Sequence, residues 1–477
     1  MSNFDTYQPP GIFIEELTSP LVGNVGLATA VPAIVGPGIG YRVASEAATL
    51  DGVSAVQLSR LGITENSVAV YSASGTLYTL TQDYTLAVGG GADGNTGTAL
   101  DNTLTITRVD ANSGGTIANG ETVVVTYRHT DAAYYAAKVF TDYEDIKAAY
   151  GEPFSQAGVL QSPISLAARI AMLNGASQLV LVAVASGAVP ATFASAYTKL
   201  LAEPSVGIVV PLTVGLTGSS DNQQLGNDLE SHCNSAAISN MYRIGIMGSE
   251  ALTDNNIAPN ALAANVAAER VVLAWPNRML YFNGFTNASI EVGGYYLAAA
   301  YAGRLAAMPV QNGLTRKRVS GFNGIPSTVL SSMIASYKNT LSQAGVSVTE
   351  VSRDGSMVVR HGVTTNTAGL LKREISLLRA KDAMVSLIYE TINSYDIIGS
   401  PITEDSAVQL KAIVQGCLST LTSSGVIFDY GTVKVRLSST DPTVMEIKFE
   451  YRPSYPLNYI VVSYTLNTET GDLAIAA

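Results

Sequence analysis

Three histidines, two cysteines and one glycine-rich run are the parts of this 477-residue chain from which chemistry could be built. His129 falls in a β-like segment, His232 in a helical one, and His361 in the polar stretch "VVRHGVTTNT". A histidine serves as a base, or partners a nucleophile, only beside a suitably placed Ser, Cys or carboxylate. No HExxH, nucleophile elbow or kinase signature set accompanies any of them. Cys233 and Cys417 form neither a CxxC nor a metal-ligand spacing, and read as small buried apolar side chains in a reducing compartment. "VGGGADGNTGT" (88–98) lacks a P-loop lysine and a following helix, so it reads as a long hairpin loop. "GPGIG" and "GFNGIP" lack the strand–turn–helix setting and downstream acid that a dinucleotide site requires. The sequence therefore predicts no catalytic residue, no cofactor and no metal.

Composition narrows the classes further. A hydrophobic content of 47% with 14% charged residues belongs to a folded chain, and this length suggests roughly two to four domains. No apolar run is long enough to span a bilayer, and "MSNFDTYQPP" lacks the basic and apolar regions of a secretory signal. The net charge of −11 argues against nucleic-acid binding by the whole surface. The charge is uneven. Residues 51–133 carry eight acids against three bases, whereas residues 315–395 carry ten bases against five acids. One region would repel anions, and the other could meet an acidic partner.

Elements that would position such surfaces are legible as periodicities. Pro9 and Pro10 favour an extended path, Gly11 allows a turn, and Ile12-Phe13-Ile14 reads as a short strand with no hairpin partner nearby. "VGLATAVPAIVGPGIG" (25–40) reads as a buried strand ending in a loop. Residues 53–130 hold short alternating segments separated by Gly, Asn and Asp clusters, the pattern of a small β-sandwich or barrel. From residue 139 onward, apolar runs such as "LVLVAVA" and "VGIVVPLTV" alternate with helical stretches, implying an α/β layer with a mostly parallel sheet. Residues 376–395 and 406–425 read as amphipathic helices, and "VKVRLSS", "VMEIKFEYRP" and "NYIVVSYTLNT" as strands, giving an α+β region.

Four stretches together resemble the sheath proteins of contractile phage tails. "YQPPGIFIEE" (7–16) matches the opening pattern Y-x-x-P-G-V-Y-x-x-E, and "DAAYYAAKVFTDYEDIKAAYGEP" (131–153) the passage from an inserted β domain into an α/β domain. "RVVLAWPNRMLYFN" followed by "GYYLAAAYAGRLAAMPVQNGLTRKRVSGFNGI" is similar to the middle-domain block. "GSMVVRHGVTTNTAGLLKREISLLRAKDAM" (355–384) resembles V-x-R-G-x-T-T…R-E-x-x-x-x-R-x-x-D, with His361 standing between the arginine and the glycine.

The resemblance implies a multidomain α/β plus α+β fold: an N-terminal arm (1–20) and a subtilisin-like middle domain without a triad (21–52 and 134–354). It also implies an inserted β domain (53–133), a C-terminal α+β domain (355–458) and a C-terminal arm (459–477). It implies a structural subunit, not an enzyme, that polymerises as stacked hexameric rings and contracts, its arms adding strands to neighbouring copies. Ile12, Phe13, Ile14 and Glu15 at one end and Tyr459, Ile460, Val461 and Val462 at the other would make those contacts. Lys372, Arg373, Arg379 and Lys381 would face the inner tube, with Glu374 and Asp382 as competing local partners. The implied partners are the chain itself, the tube, baseplate and tail terminator proteins. Neither direct nucleic-acid contact nor membrane insertion is implied, and the protein would reside in the virion after assembly in the host cytoplasm. The sheath of a tailocin-like particle and an α/β hydrolase-like enzyme with a β insertion are the alternatives.

Overall fold

The structure, a computed structural model, describes residues 31–89, 103–130, 132–466 and 473–475. Its centre is an eight-stranded sheet. Six strands run parallel: Val31–Pro37, Leu179–Val184, Val206–Pro211, Ile244–Met247, Val271–Trp275 and Val346–Val351. Antiparallel strands at Lys138–Phe140 and Met357–Val359 form the two edges. The runs "LVLVAV", "VGIVVP" and "VVLAW" are buried at every residue, because helices cover both faces. Helices Pro163–Leu173 and Tyr295–Ala306 lie on one face, and Pro190–Leu200, Ser219–Ile238 and Pro259–Val266 on the other. Three of these open on a proline, whose missing N–H costs nothing in the first turn. The helices at 163–173 and 295–306 cross so closely that a Cβ at Gly303 would strike the backbone of Ala171.

Counted along the chain, the parallel strands stand in the order 2-1-3-4-5-6, the flavodoxin-type arrangement. A subtilisin likeness finds no support in this order. Doubly wound sheets bind ligands where the order reverses, beyond the carboxyl ends of strands 1 and 3. Here that position is filled. Gly38, just past the first strand, lies against the buried Tyr134, Tyr150 and Ile164, and an added Cβ would meet all three.

Between the first and second parallel strands the chain leaves the sheet to build two three-stranded antiparallel sheets. Arg42–Leu50 pairs along its whole length with Glu121–His129, which also pairs Ala69–Tyr71. Val56–Gln57, Thr103–Arg108 and Tyr84–Gly89 form the second sheet. Alternating residues from both sheets, including Leu50, Val70, Leu104, Ile106, Val123 and Val125, make a separate core. The first strand begins at Arg42 and so precedes residue 53; its early half is mostly exposed and gives little periodic signal. Most of the glycine-rich run lies outside the described residues.

A third core forms around two long helices, Ile375–Ser394 and Glu404–Ser423. Helix 375–394 joins this core to the central body. Ile375 and Leu378 pack with the sheet, whereas Met384, Ile388 and Ile392 pack with the second helix. Edge strand 357–359 pairs within the central sheet, so the sheet extends past a boundary at residue 354.

Candidate assembly surface

Two short antiparallel ribbons sit on the C-terminal helix pair. Ile427–Tyr430 pairs with Tyr451–Pro453, and Lys434–Leu437 with Met445–Lys448. In the second ribbon Val435, Met445 and Ile447 pack against the helices, and Arg436 grips Glu446 through Nε at 3.0 Å and Nη2 at 2.8 Å. A two-stranded ribbon is marginal in water, and its outer edges are rows of unmatched N–H and C=O groups. Among the described residues neither outer edge of this ribbon pairs with a further strand. Phe428 and Leu437 add exposed apolar surface nearby.

The chain then leaves the body. Tyr459, Ile460, Val461 and Val462 are 77%, 76%, 87% and 71% exposed, and they form no strand. The strand is Tyr464–Leu466, paired antiparallel with Leu473–Ile475 of the same chain. The expected strand at 459–466 therefore starts later: among the described residues, Tyr459–Val462 pair with no strand. Ile12, Phe13, Ile14 and Glu15 lie outside the described residues.

The root of this segment is tied to a buried carboxylate. His361 Nε2 donates to Glu374 Oε1 at 2.7 Å, and the Asn458 amide donates to the same oxygen at 3.1 Å. Glu374 is 1% exposed and immediately precedes helix 375–394, where the helix dipole favours negative charge. Nothing in the local sequence pattern around His361 announces a partner at position 374 or 458.

The four basic residues assigned to a tube contact separate in the structure. Arg379 is buried and donates to the carbonyls of Leu305 and Met308 at 3.0 and 3.2 Å. Burial pushes its pKa down to about 10. It closes the end of helix 295–306 and offers no charge to a partner. Arg373 turns a guanidinium N–H to the Ser342 carbonyl at 3.2 Å. Lys372 and Lys381 are half-buried. The expected local pairings also differ, since Asp382 takes Arg270 and Glu374 takes His361 and Asn458.

The remaining candidates for chemistry are internal. His232 accepts from the fully buried Arg243 at 2.8 Å, and burial followed by that positive charge lowers its pKa to about 3. Cys233 and Cys417 are both buried free thiols, and burial raises Cys233 to about 12. Among the described residues no cluster of potential metal ligands occurs.

No family profile matches the chain. The tail sheath protein of Mycobacterium phage Bxz1 is 34% identical over 431 residues, covering 87% of this chain and 70% of its own. The tail sheath protein of Bacillus phage SP01 is 25% identical over 213 residues, 44% of this chain and 35% of its own. Among solved structures, the anti-feeding prophage helical sheath in its contracted state superposes with a TM-score of 0.58 at 13% identity, covering 97% of this chain and all of that one. A chain of the anti-feeding prophage baseplate gives 0.56 at 12% identity over the same 97%. At such identity these two establish a shared fold. With sequence likeness running through most of its length, the chain belongs to the tail sheath protein family.

Proposed function

We propose that this protein polymerises as stacked hexameric rings around an inner tube and contracts to drive that tube through the host envelope. The exposed apolar segment Tyr459–Val462, in a chain that also carries a ribbon whose outer edges are unpaired among the described residues, supports the reading. Main-chain bonds supply contact when a strand is added to such an edge, and alternating side chains fix the register. The N-terminal Ile12–Ile14 strand and the C-terminal arm serve as the exchanged elements, and the body between them moves as a unit during contraction. Baseplate, tube and terminator proteins are the further partners, and the protein resides in a virion tail assembled in the host cytoplasm. The acidic β insertion, tethered by two crossings of the chain, suits an outward-facing decoration.

Electron micrographs of the purified full-length chain test this directly. Tubes of uniform diameter are the expected result, and protein that stays monomeric at every concentration and salt condition would sink the proposal.

Lys372 and Lys381, half-buried like Arg373, are the tube-facing candidates taken forward. Such contacts are modest per pair and weakened by salt. A variant with both reversed to glutamate is expected to form sheath polymers alone while losing most loading onto tubes at low salt. Undiminished loading would remove electrostatic attraction at these two lysines from the account.

A further inference from the structure

We propose that Glu374, steadied by His361, anchors the C-terminal arm through Asn458, so that the arm pivots beyond residue 458 and not at the last ribbon strand. This rests on the reading of 459–477 as an assembly arm. From Tyr451 to Asn458 the side chains mix half-buried and exposed positions, as in a segment lying along the body. From Tyr459 to Ser463 every side chain is exposed. The change falls at the residue whose amide reaches the Glu374 carboxylate at 3.1 Å.

The anchor is itself rigid. Glu374 N–H donates to the Leu370 carbonyl at 3.2 Å, and Thr364 N–H donates to the Arg373 carbonyl at 2.8 Å. Because a carboxylate accepts only, His361 must carry its proton on Nε2 to make the 2.7 Å bond. That bond, the Asn458 amide and the helix N-terminus together compensate a charge that would otherwise be costly to bury. Pro453 and Pro456 stiffen the approach by fixing φ. The arm thus departs in a direction set by the junction of the central and C-terminal cores. Glu374 and Asn458 are positioning residues for assembly.

Spin-label distances in the dilute, unassembled full chain test this, and the burial of both native cysteines makes added thiols selective targets. One label replaces the exposed Ile238 on the body, and the second replaces Leu457 or Val461. The expected result is a narrow distance distribution for the Leu457 label and a broad one for the Val461 label. Asn458→Ala should broaden the Leu457 distribution about twofold as the segment gains motion. Glu374→Gln, which keeps an acceptor oxygen, should preserve the narrow distribution, whereas Glu374→Ala should not. A Leu457 distribution as broad as that of Val461 in the native background, or one unmoved by Asn458→Ala, would overturn the anchor. Because the measurement is made on unassembled chains, it succeeds or fails independently of whether the arm joins copies.

Discussion

Replacing Asp382 with alanine is expected to destabilise the protein by about 3–5 kcal/mol, the cost of leaving a buried charge without its partner. Arg270 and Asp382 meet in a two-pronged contact with both bonds at 2.8 Å, and their side chains are 3% and 2% exposed. Burial works against the Arg270 charge, and the Asp382 carboxylate outweighs it, raising the guanidinium pKa above its ordinary value. Arg270 immediately precedes the parallel strand Val271–Trp275, and Asp382 lies on helix 375–394. The pair therefore ties the central sheet to the C-terminal core. Urea unfolding of the single variant should show a clear drop in midpoint. The double replacement Arg270→Met with Asp382→Leu should recover most of it, since well-packed apolar residues often match a buried pair. A single variant within about 1 kcal/mol of the native protein would mean that water or another group relieves Arg270.

Ending the chain after Asn458 is expected to leave a folded, soluble monomer that no longer forms tubes. Residues 459–463 are exposed and Tyr464–Leu466 pairs with Leu473–Ile475, so among the described residues the loss costs the body of the fold little. Covering four apolar side chains on a neighbour gains about 6–12 kcal/mol before ordering costs, and fixing the backbone takes back about 1–2 kcal/mol per residue. Even about 3 kcal/mol of net contact per subunit corresponds to roughly a hundredfold change in the concentration needed for assembly. Sedimentation and negative-stain micrographs across a concentration series would detect it. Polymers of normal length and threshold from the shortened chain would refute strand exchange at this end. Removal of residues 1–18 is expected to act in the same direction.

The alternation of apolar runs and helices between residues 139 and 275 was legible because each parallel strand is buried on both faces, which leaves continuous runs such as "LVLVAV". Sheet order was not legible. It depends on which strands meet across long stretches of chain, and no local pattern encodes that. Arg379 was misplaced for a related reason. A charged residue on an amphipathic helix is expected to face water, but helix 375–394 threads between two cores and is buried nearly all round in its first three turns. Its arginine is spent on the carbonyls at the end of another helix. Near the C-terminus the sequence pattern read a strand over 459–466, while the structure starts it at Tyr464. A β-prone sequence becomes a strand only where an edge is available.

The exposure of Tyr459–Val462 also sets a clock on the unassembled protein. "YIVVSYT" (459–465) has no charge, no proline and no glycine and is rich in β-branched and aromatic residues, the composition of segments that stack into cross-β fibrils. On the proposed strand-exchange reading, productive polymerisation and irreversible fibril formation compete for the same residues. Which wins depends on how quickly a newly made subunit meets a correct docking edge relative to another free tail. On that reading, synthesis that outpaces the supply of growing ends would waste subunits, and the yield of finished particles would depend on the timing of nucleation as well as on the amount of protein.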